Sequence, residues 1–280
     1  MKGLEDSTVL PETKRRGRKP KKMAQKELLN MFYEETGILE PKDTGYGKKT
    51  MEGYKYLSPA EKQGFERGFT TPKNANQEKY VALLNEKARK IIVVSGPAGT
   101  GKTLFATEYG IRHFLTGVYE KLIFTRPSVS VDEDIGYLPG TLEEKMAPWV
   151  RPIYDILYQY ISAKDVKQYM EDKTIEIAPL GYMRGRTFKN AWIVADEMQN
   201  STVSQMKMLM TRLGENSRMV ITGDLEQHDR QNERNGLDDF LHKFHDKSSL
   251  SIVSVPFEKN DIQREEVVKE VLDIYSGQEV

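Results

Sequence analysis

Eight consecutive residues can do chemistry together: Gly96, Pro97, Ala98, Gly99, Thr100, Gly101, Lys102 and Thr103. They read G-x-x-x-x-G-K-T, preceded by the apolar run Ile91-Ile-Val-Val-Ser95 and followed by Leu104-Phe-Ala-Thr-Glu108. In a strand–loop–helix context, such a loop curls so that its amide N–H groups face phosphate oxygens, reinforced by the positive end of the helix. Lys102 reaches the β- and γ-phosphates, and the Thr103 hydroxyl ligates Mg²⁺. The cofactors expected are therefore ATP and Mg²⁺. A glycine turn with an incidental Lys-Thr is the bland alternative, and it does not account for both flanks agreeing.

A second cluster completes the chemistry. Ala191-Trp-Ile-Val-Ala195 is an apolar run ending in Asp196-Glu197. Asp196 suits the place beside Mg²⁺, and Glu197 suits the base that activates water. Otherwise these acids merely cap the next helix. A third run, Met219–Thr222, ends in Gly223-Asp224-Leu-Glu-Gln227, where Asp224 and Gln227 can touch the γ-phosphate or the attacking water. Their alternative is an Asx-type turn. The four His show no metal-ligand pattern; His228 reads as surface polar more readily than catalytic.

These groups need a scaffold. The short runs at 91–94, 121–125, 175–178, 191–195, 219–222 and 251–255 are rich in β-branched residues and bounded by turn residues. Helical patterns lie between most of them, at 103–115, 146–160, 204–213 and 237–244, with another at 77–86 upstream. That alternation predicts an α/β domain with a doubly wound, mainly parallel sheet over residues 71–280. Residues 1–70 read differently, as a basic, largely disordered arm and linker with one short amphipathic helix near 24–35. Lys14 to Lys22 hold seven cations in nine residues, a block that repels itself and resists burial.

Composition bounds the rest. The chain of 280 residues is formally neutral, with 42 Lys+Arg and 42 Asp+Glu, yet residues 1–76 carry 16 against 11 and residues 77–280 carry 26 against 31. The absence of Cys excludes disulfides, thiolate zinc sites and a cysteine nucleophile. There is no apolar run near the ~18 residues of a membrane span and no secretory-type start. A cytoplasmic location without a membrane partner is expected.

Further stretches carry a family likeness. Thr125-Arg-Pro127, Glu133–Gly140, Glu143–Pro148 and Arg151–Asp155, with Arg184-Gly-Arg186, Asp196-Glu-Met-Gln199 and Thr222-Gly-Asp224 with Gln227, together resemble the PhoH family of P-loop ATPases. The resemblance covers about residues 70–275. It implies a RecA-like core similar to the first motor domain of superfamily 1 helicases. It also implies an ATP-binding, often oligomeric protein; some members behave as RNA helicases. Residue by residue, it places Gln77 at the adenine edge, where a carboxamide offers both donor and acceptor; a surface position is the alternative. Arg126 matches a position near a nucleic-acid backbone. Arg184 and Arg186 contact phosphate of nucleotide or nucleic acid, or else sit solvated or salt-bridged at the surface. Arg264 looks like an arginine finger, or else pairs with Glu265 or Glu266.

Two expectations about partners follow. Superfamily 1 motors carry a second motor domain, and this sequence runs about 16 residues past Arg264, so a homo-oligomeric ring, such as a hexamer, is expected to supply the opposite face of the cleft. In the arm, Arg15, Arg16, Arg18 and Lys19 surround Gly17 in a pattern resembling an AT-hook, whose Arg-Gly-Arg core lies in a narrow minor groove. Lys19 between Arg18 and Pro20 departs from the usual form, and a solubility tail or localisation signal is the alternative. RNA or DNA is the expected partner. The leading function is ATP hydrolysis coupled to nucleic-acid remodelling; the alternative is an oligomeric ATPase switch gating a protein. A small-molecule kinase is weaker, because Asp196-Glu197 with Asp224 and Gln227 favours water as acceptor.

Overall fold

In the computed structural model the described residues are Tyr54, 58–127, 142–227, 234–268, Val271 and Ile274, with 142–150 described by backbone only. Strands β1 (Ile91–Ser95), β2 (Lys121–Arg126), β3 (Ile175–Pro179), β4 (Ala191–Ala195), β5 (Arg218–Gly223) and β6 (Ile252–Pro256) form one sheet in the order β3-β2-β4-β5-β1-β6. Every pairing is parallel.

The alternation of side chains along a strand divides the core in two. Ile92, Val94, Leu122, Phe124, Trp192, Val194 and Val220 point to one face. Ile91, Val93, Ile123, Ile193, Met219 and Ile221 point to the other. Helices cover both faces, as strands buried on two sides require. The first face carries α1 (Pro59–Arg67), α2 (Ala75–Asn85), α3 (Lys102–Leu115), α4 (Leu142–Tyr160) and α5 (Ala163–Glu171). The second carries α6 (Val203–Met210) and α7 (Gly236–Phe244). The chain is thus α/β and doubly wound, with a sheet that is parallel throughout.

All six expected strands form, with ends shifted by a residue or so. Helix α4 begins at Leu142, four residues before its apolar pattern; residues 128–141 and the arm lie outside the described residues. The last part of the stretch expected to be linker is ordered. Ser58 caps α1 by accepting from Glu61 N–H, Glu61 reciprocates, and Pro59 opens the helix. Phe65 and Phe69 are then buried in the first core, each such ring contributing about 2–3 kcal/mol.

Helix α3 crosses the sheet centre. Trp192 on β4 donates its indole N–H to the Ala106 carbonyl at 3.0 Å. Gly110 permits that approach, since a Cβ there would lie 2.7 Å from the indole. This contact fixes the start of α3, and so the loop before it, relative to the tip of β4. Among the described residues no helix is long and apolar enough to cross a membrane.

Candidate functional site

Three adjacent strands end side by side. Ser95 pairs with Gly223 across β1 and β5, and Ala195 pairs with Ile221 across β4 and β5. The residues that follow, Gly96, Asp224 and Asp196, therefore emerge together at the carboxyl edge of the sheet, where ligands of open parallel sheets bind.

The loop 96–103 is held from several sides. Gly96 N–H donates to Gly223 O at 3.2 Å. Thr100 is fully buried, its hydroxyl donating to Pro97 O at 3.0 Å. Gly99 adopts φ +83°, and a Cβ there would lie 2.4 Å from Arg264 Nε. Lys102 folds back to donate to Gly96 O at 2.6 Å and Pro97 O at 2.7 Å. Burial lowers its ammonium below the ordinary value, opposed by the fields of Asp224, Asp196 and Glu197. A buried cation held only by neutral carbonyls is poised to exchange them for phosphate oxygens.

Opposite lies the acidic wall. Asp196 accepts from the Thr103 hydroxyl at 2.7 Å and also from the Thr222 hydroxyl, while its own N–H donates to Thr125 O. Glu197 has left-handed backbone, φ 54° and ψ 37°, an uncommon state for a residue with a side chain and one that concentrates at functional sites. It accepts from Gln199 Nε2 at 2.5 Å. Gln199 is itself buried and spans to the neighbouring tip: its Nε2 donates to Gln227 O at 3.2 Å, and its Oε1 accepts from Asp224 N–H at 3.1 Å. Asp224 forms the Asx-type turn, accepting from Glu226 N–H, and also faces the cleft.

The cleft between these walls measures about 440 Å³ and is bordered by Gln77, Gly99, Lys102, Thr103, Asp196, Glu197, Asp224, Gln227 and Arg264. Its size suits a nucleotide. No cluster of three or more His, Cys, Asp or Glu able to hold a metal exists among the described residues. The Thr103 hydroxyl and Asp196 carboxylate nonetheless offer adjacent hard oxygens. That donor set fits Mg²⁺, which takes one or two protein oxygens and completes its octahedron with phosphate and water.

The remaining expected residues divide. Gln77 is buried at the cleft rather than exposed; its Oε1 accepts from Lys73 N–H at 2.8 Å and its Nε2 donates to Thr100 O at 3.0 Å. One donor and one acceptor position of the amide remain for a base. Arg264 lies against the loop of its own chain, where Gln263 N–H donates to Gly99 O at 3.0 Å. Arg126, half-buried at the β2 tip, borders a small cavity that also touches Thr103 and Asp196. Arg184 is exposed, away from the cleft lining. Arg186 is committed to Glu176 through its two terminal guanidinium nitrogens and lies 4.7 Å over the Phe188 ring, the salt-bridged alternative. Arg15, Arg16, Arg18, Lys19 and His228 lie outside the described residues.

Three contributors escaped the sequence reading. Thr222 shares the Asp196 carboxylate, Gln199 joins the two strand tips, and Tyr80 donates to Lys102 O at 3.1 Å, tying α2 to the start of α3. Gln199, two residues past Glu197, and Thr222 both stood inside motifs already quoted, though without a role.

Parallel strands, a phosphate loop and an Asp-Glu strand tip facing it define a P-loop NTPase. The profile described as PhoH-like protein matches residues 70–276. The chain belongs to that family. A PhoH-like protein of Mycobacterium tuberculosis is 42% identical over 212 residues, covering 74% of this chain and 58% of its own length. One from Mycobacterium leprae is 40% identical over 250 residues, 86% of this chain and 70% of its own. The Escherichia coli K12 protein PhoH is 37% identical over 211 residues, 74% and 59%. The match thus spans under three fifths of the length of most of these relatives. Among solved structures, the UvsW helicase of bacteriophage T4 aligns over 83% of this chain and 77% of its own at 12% identity and a TM-score of 0.38, a distant likeness.

Proposed function

We propose that the protein binds and hydrolyses ATP with Mg²⁺ and couples the cycle to RNA or DNA. The observation that carries hydrolysis is the facing of Glu197, Asp224 and Gln227 across one cleft from Lys102. Bound Mg²⁺ neutralises charge on the β- and γ-phosphates. Asp196 and Thr103, which now share a hydrogen bond, are the residues that would hold it. Lys102 leaves the Gly96 and Pro97 carbonyls for the phosphates. Glu197 takes the proton of the attacking water. Gln227, on the Asp224 loop, orients that water, and Arg264 approaches the developing charge from its own chain. Water is the acceptor that a carboxylate base with Asp224 and Gln227 beside it favours.

Coupling to nucleic acid is supported by Arg126, whose cavity adjoins the Asp196–Thr103 pair, and by the Arg-Gly-Arg arm. Assembly into a homo-oligomer is supported by Val267, Val271 and Ile274. These expose apolar side chains at helical spacing, 63%, 45% and 63% accessible, a stripe suited to a second copy. An exposed stripe equally fits the second reading, a nucleotide-gated protein switch.

Steady-state ATPase assays with and without single-stranded RNA and DNA, beside particle mass, separate the readings. Stimulation by strands is expected; turnover indifferent to them would favour the switch. Glu197→Gln should retain ATP binding while lowering kcat about 100-fold or more, within the ~10²–10⁴ range of general base catalysis. Near-normal turnover would unseat Glu197 as the base.

A further inference from the structure

Glu108 lies one turn and a half beyond the phosphate loop on α3 and is fully buried. No ion pair with it exists among the described residues. Buried carboxylates require donors, and these come from outside α3. Oε2 accepts from Thr70 N–H at 3.1 Å, and Oε1 accepts from the Thr70 hydroxyl at 2.8 Å and the Tyr160 hydroxyl at 2.6 Å. Burial and the neighbouring Glu108 push the Tyr160 phenol far above its ordinary value, so it remains a donor. The Tyr160 ring stacks on Phe69 at 4.5 Å, and Arg112, one turn further along α3, pairs with Glu66 at 2.5 Å. Residues 66–70 are thus fastened to the helix that begins with Lys102.

The chain leaving this clamp forms a wall of the cleft. Thr70, Thr71, Lys73 and Gln77 border it, and Gln77 donates to Thr100 O of the loop. With phosphates at the loop and the acidic tips, as the nucleotide reading has it, this wall is left to face the nucleoside. Nothing in the phosphate chemistry uses Glu108, yet it sets where the wall stands.

We infer that Glu108 is a positioning residue: it fixes the nucleoside-facing wall to the phosphate-binding helix and thereby sets affinity for the base and ribose, separately from affinity for the phosphates. The inference rests on the nucleotide reading proposed above. Glu108→Leu leaves the Thr70 N–H and two hydroxyls without their buried acceptor. Glu108→Gln can restore the set: its carbonyl takes Thr70 N–H, its amide donates to the Thr70 hydroxyl, and Tyr160 turns to Gly68 O, already 3.2 Å away.

The test compares dissociation constants for Mg-ATP and for inorganic tripolyphosphate with Mg²⁺. Glu108→Leu should weaken ATP by about fivefold or more, as expected when a buried acceptor is lost, and leave tripolyphosphate within about twofold. Glu108→Gln should recover most of the ATP affinity. Thr70→Val, which removes one donor with little change of shape, should show the same selective loss and covers the case in which Glu108→Leu fails to fold. Equal weakening of both ligands, or none, in a folded variant overturns the positioning role. A wild-type protein that binds neither ligand overturns the nucleotide reading instead.

Discussion

The carboxamide of Gln199 is the smallest part on which the mechanism turns. It touches Glu197 and Gln227 as a donor and Asp224 N–H as an acceptor, so the proposed base on one strand tip and the loop proposed to face water on the next share a single side chain. Gln199→Met preserves volume and removes all three contacts. ATP binding should persist, because Lys102 and the loop amides are untouched. The kcat should fall about tenfold or more, since losing a hydrogen bond to a charged group costs ~1.5–3 kcal/mol. Nucleotide titration beside steady-state turnover checks this; an unchanged kcat would remove Gln199 from the machinery. That Lys102, Thr103, Asp196 and Glu197 would line one cleft was legible in the sequence because each stands at a fixed offset within a contiguous motif. The pairings of Thr222, Gln199 and Glu108 were not, even where the residue stood inside a quoted motif, because they depend on which elements lie side by side, and spacing along one chain does not encode those neighbours.

Elements differ in legibility for a related reason. Strands such as Ile91–Ser95 and Ala191–Ala195 are buried on both faces, so they read as unbroken apolar runs. Helix α1 buries little beyond Phe65, and α5 little beyond Val166; their apolar stripes are too sparse for periodicity to find. The signals lay in the caps: Ser58-Pro-Ala-Glu61 is a capping box with Pro at its first turn, and Ser162 accepts from Asp165 N–H. Packing between elements also creates a pH response. His113 on α3 lies 5.1 Å from Trp192, and burial lowers its pKa to about 4, aided by the positive fields of Arg218 and Arg112. Arg218 in turn caps the end of α2, donating to Leu84 O and Glu86 O. The folded pKa lies below the unfolded value of about 6.5, so the neutral ring contributes stability above pH 6.5, and that contribution is lost as pH falls toward 4. The fold should be about 2 kcal/mol less stable at pH 5 than at pH 7.5 through this residue alone. Urea unfolding at both pH values should show the loss in the wild type and a much smaller one in His113→Phe. An equal loss in both would assign the acid sensitivity elsewhere.

At the scale of the whole molecule, neutrality conceals a division. Residues 1–76 carry 16 Lys+Arg against 11 Asp+Glu, and residues 77–280 carry 26 against 31. A net-negative core repels a polyanion at long range, so the affinity proposed for RNA or DNA would have to come at moderate salt from local cations: Arg126 at the sheet edge, and the seven between Lys14 and Lys22. The two sources scale differently. On that proposal, arm cations would neutralise phosphates independently of nucleotide state, whereas Arg126 shares a cavity with Asp196 and Thr103 and would respond to what those residues hold. Deleting residues 1–23 should therefore weaken binding and reduce the slope of log K against log salt by about 2 or more, at ~0.9 per phosphate on duplex and ~0.7 on single strands. The ratio of affinities with and without Mg-ATP should be preserved. Arg126→Ala should do the reverse, changing the slope by about 1 and diminishing the nucleotide dependence. An unchanged slope after deletion would return the arm to a solvated tail and leave the core to bind against its own charge.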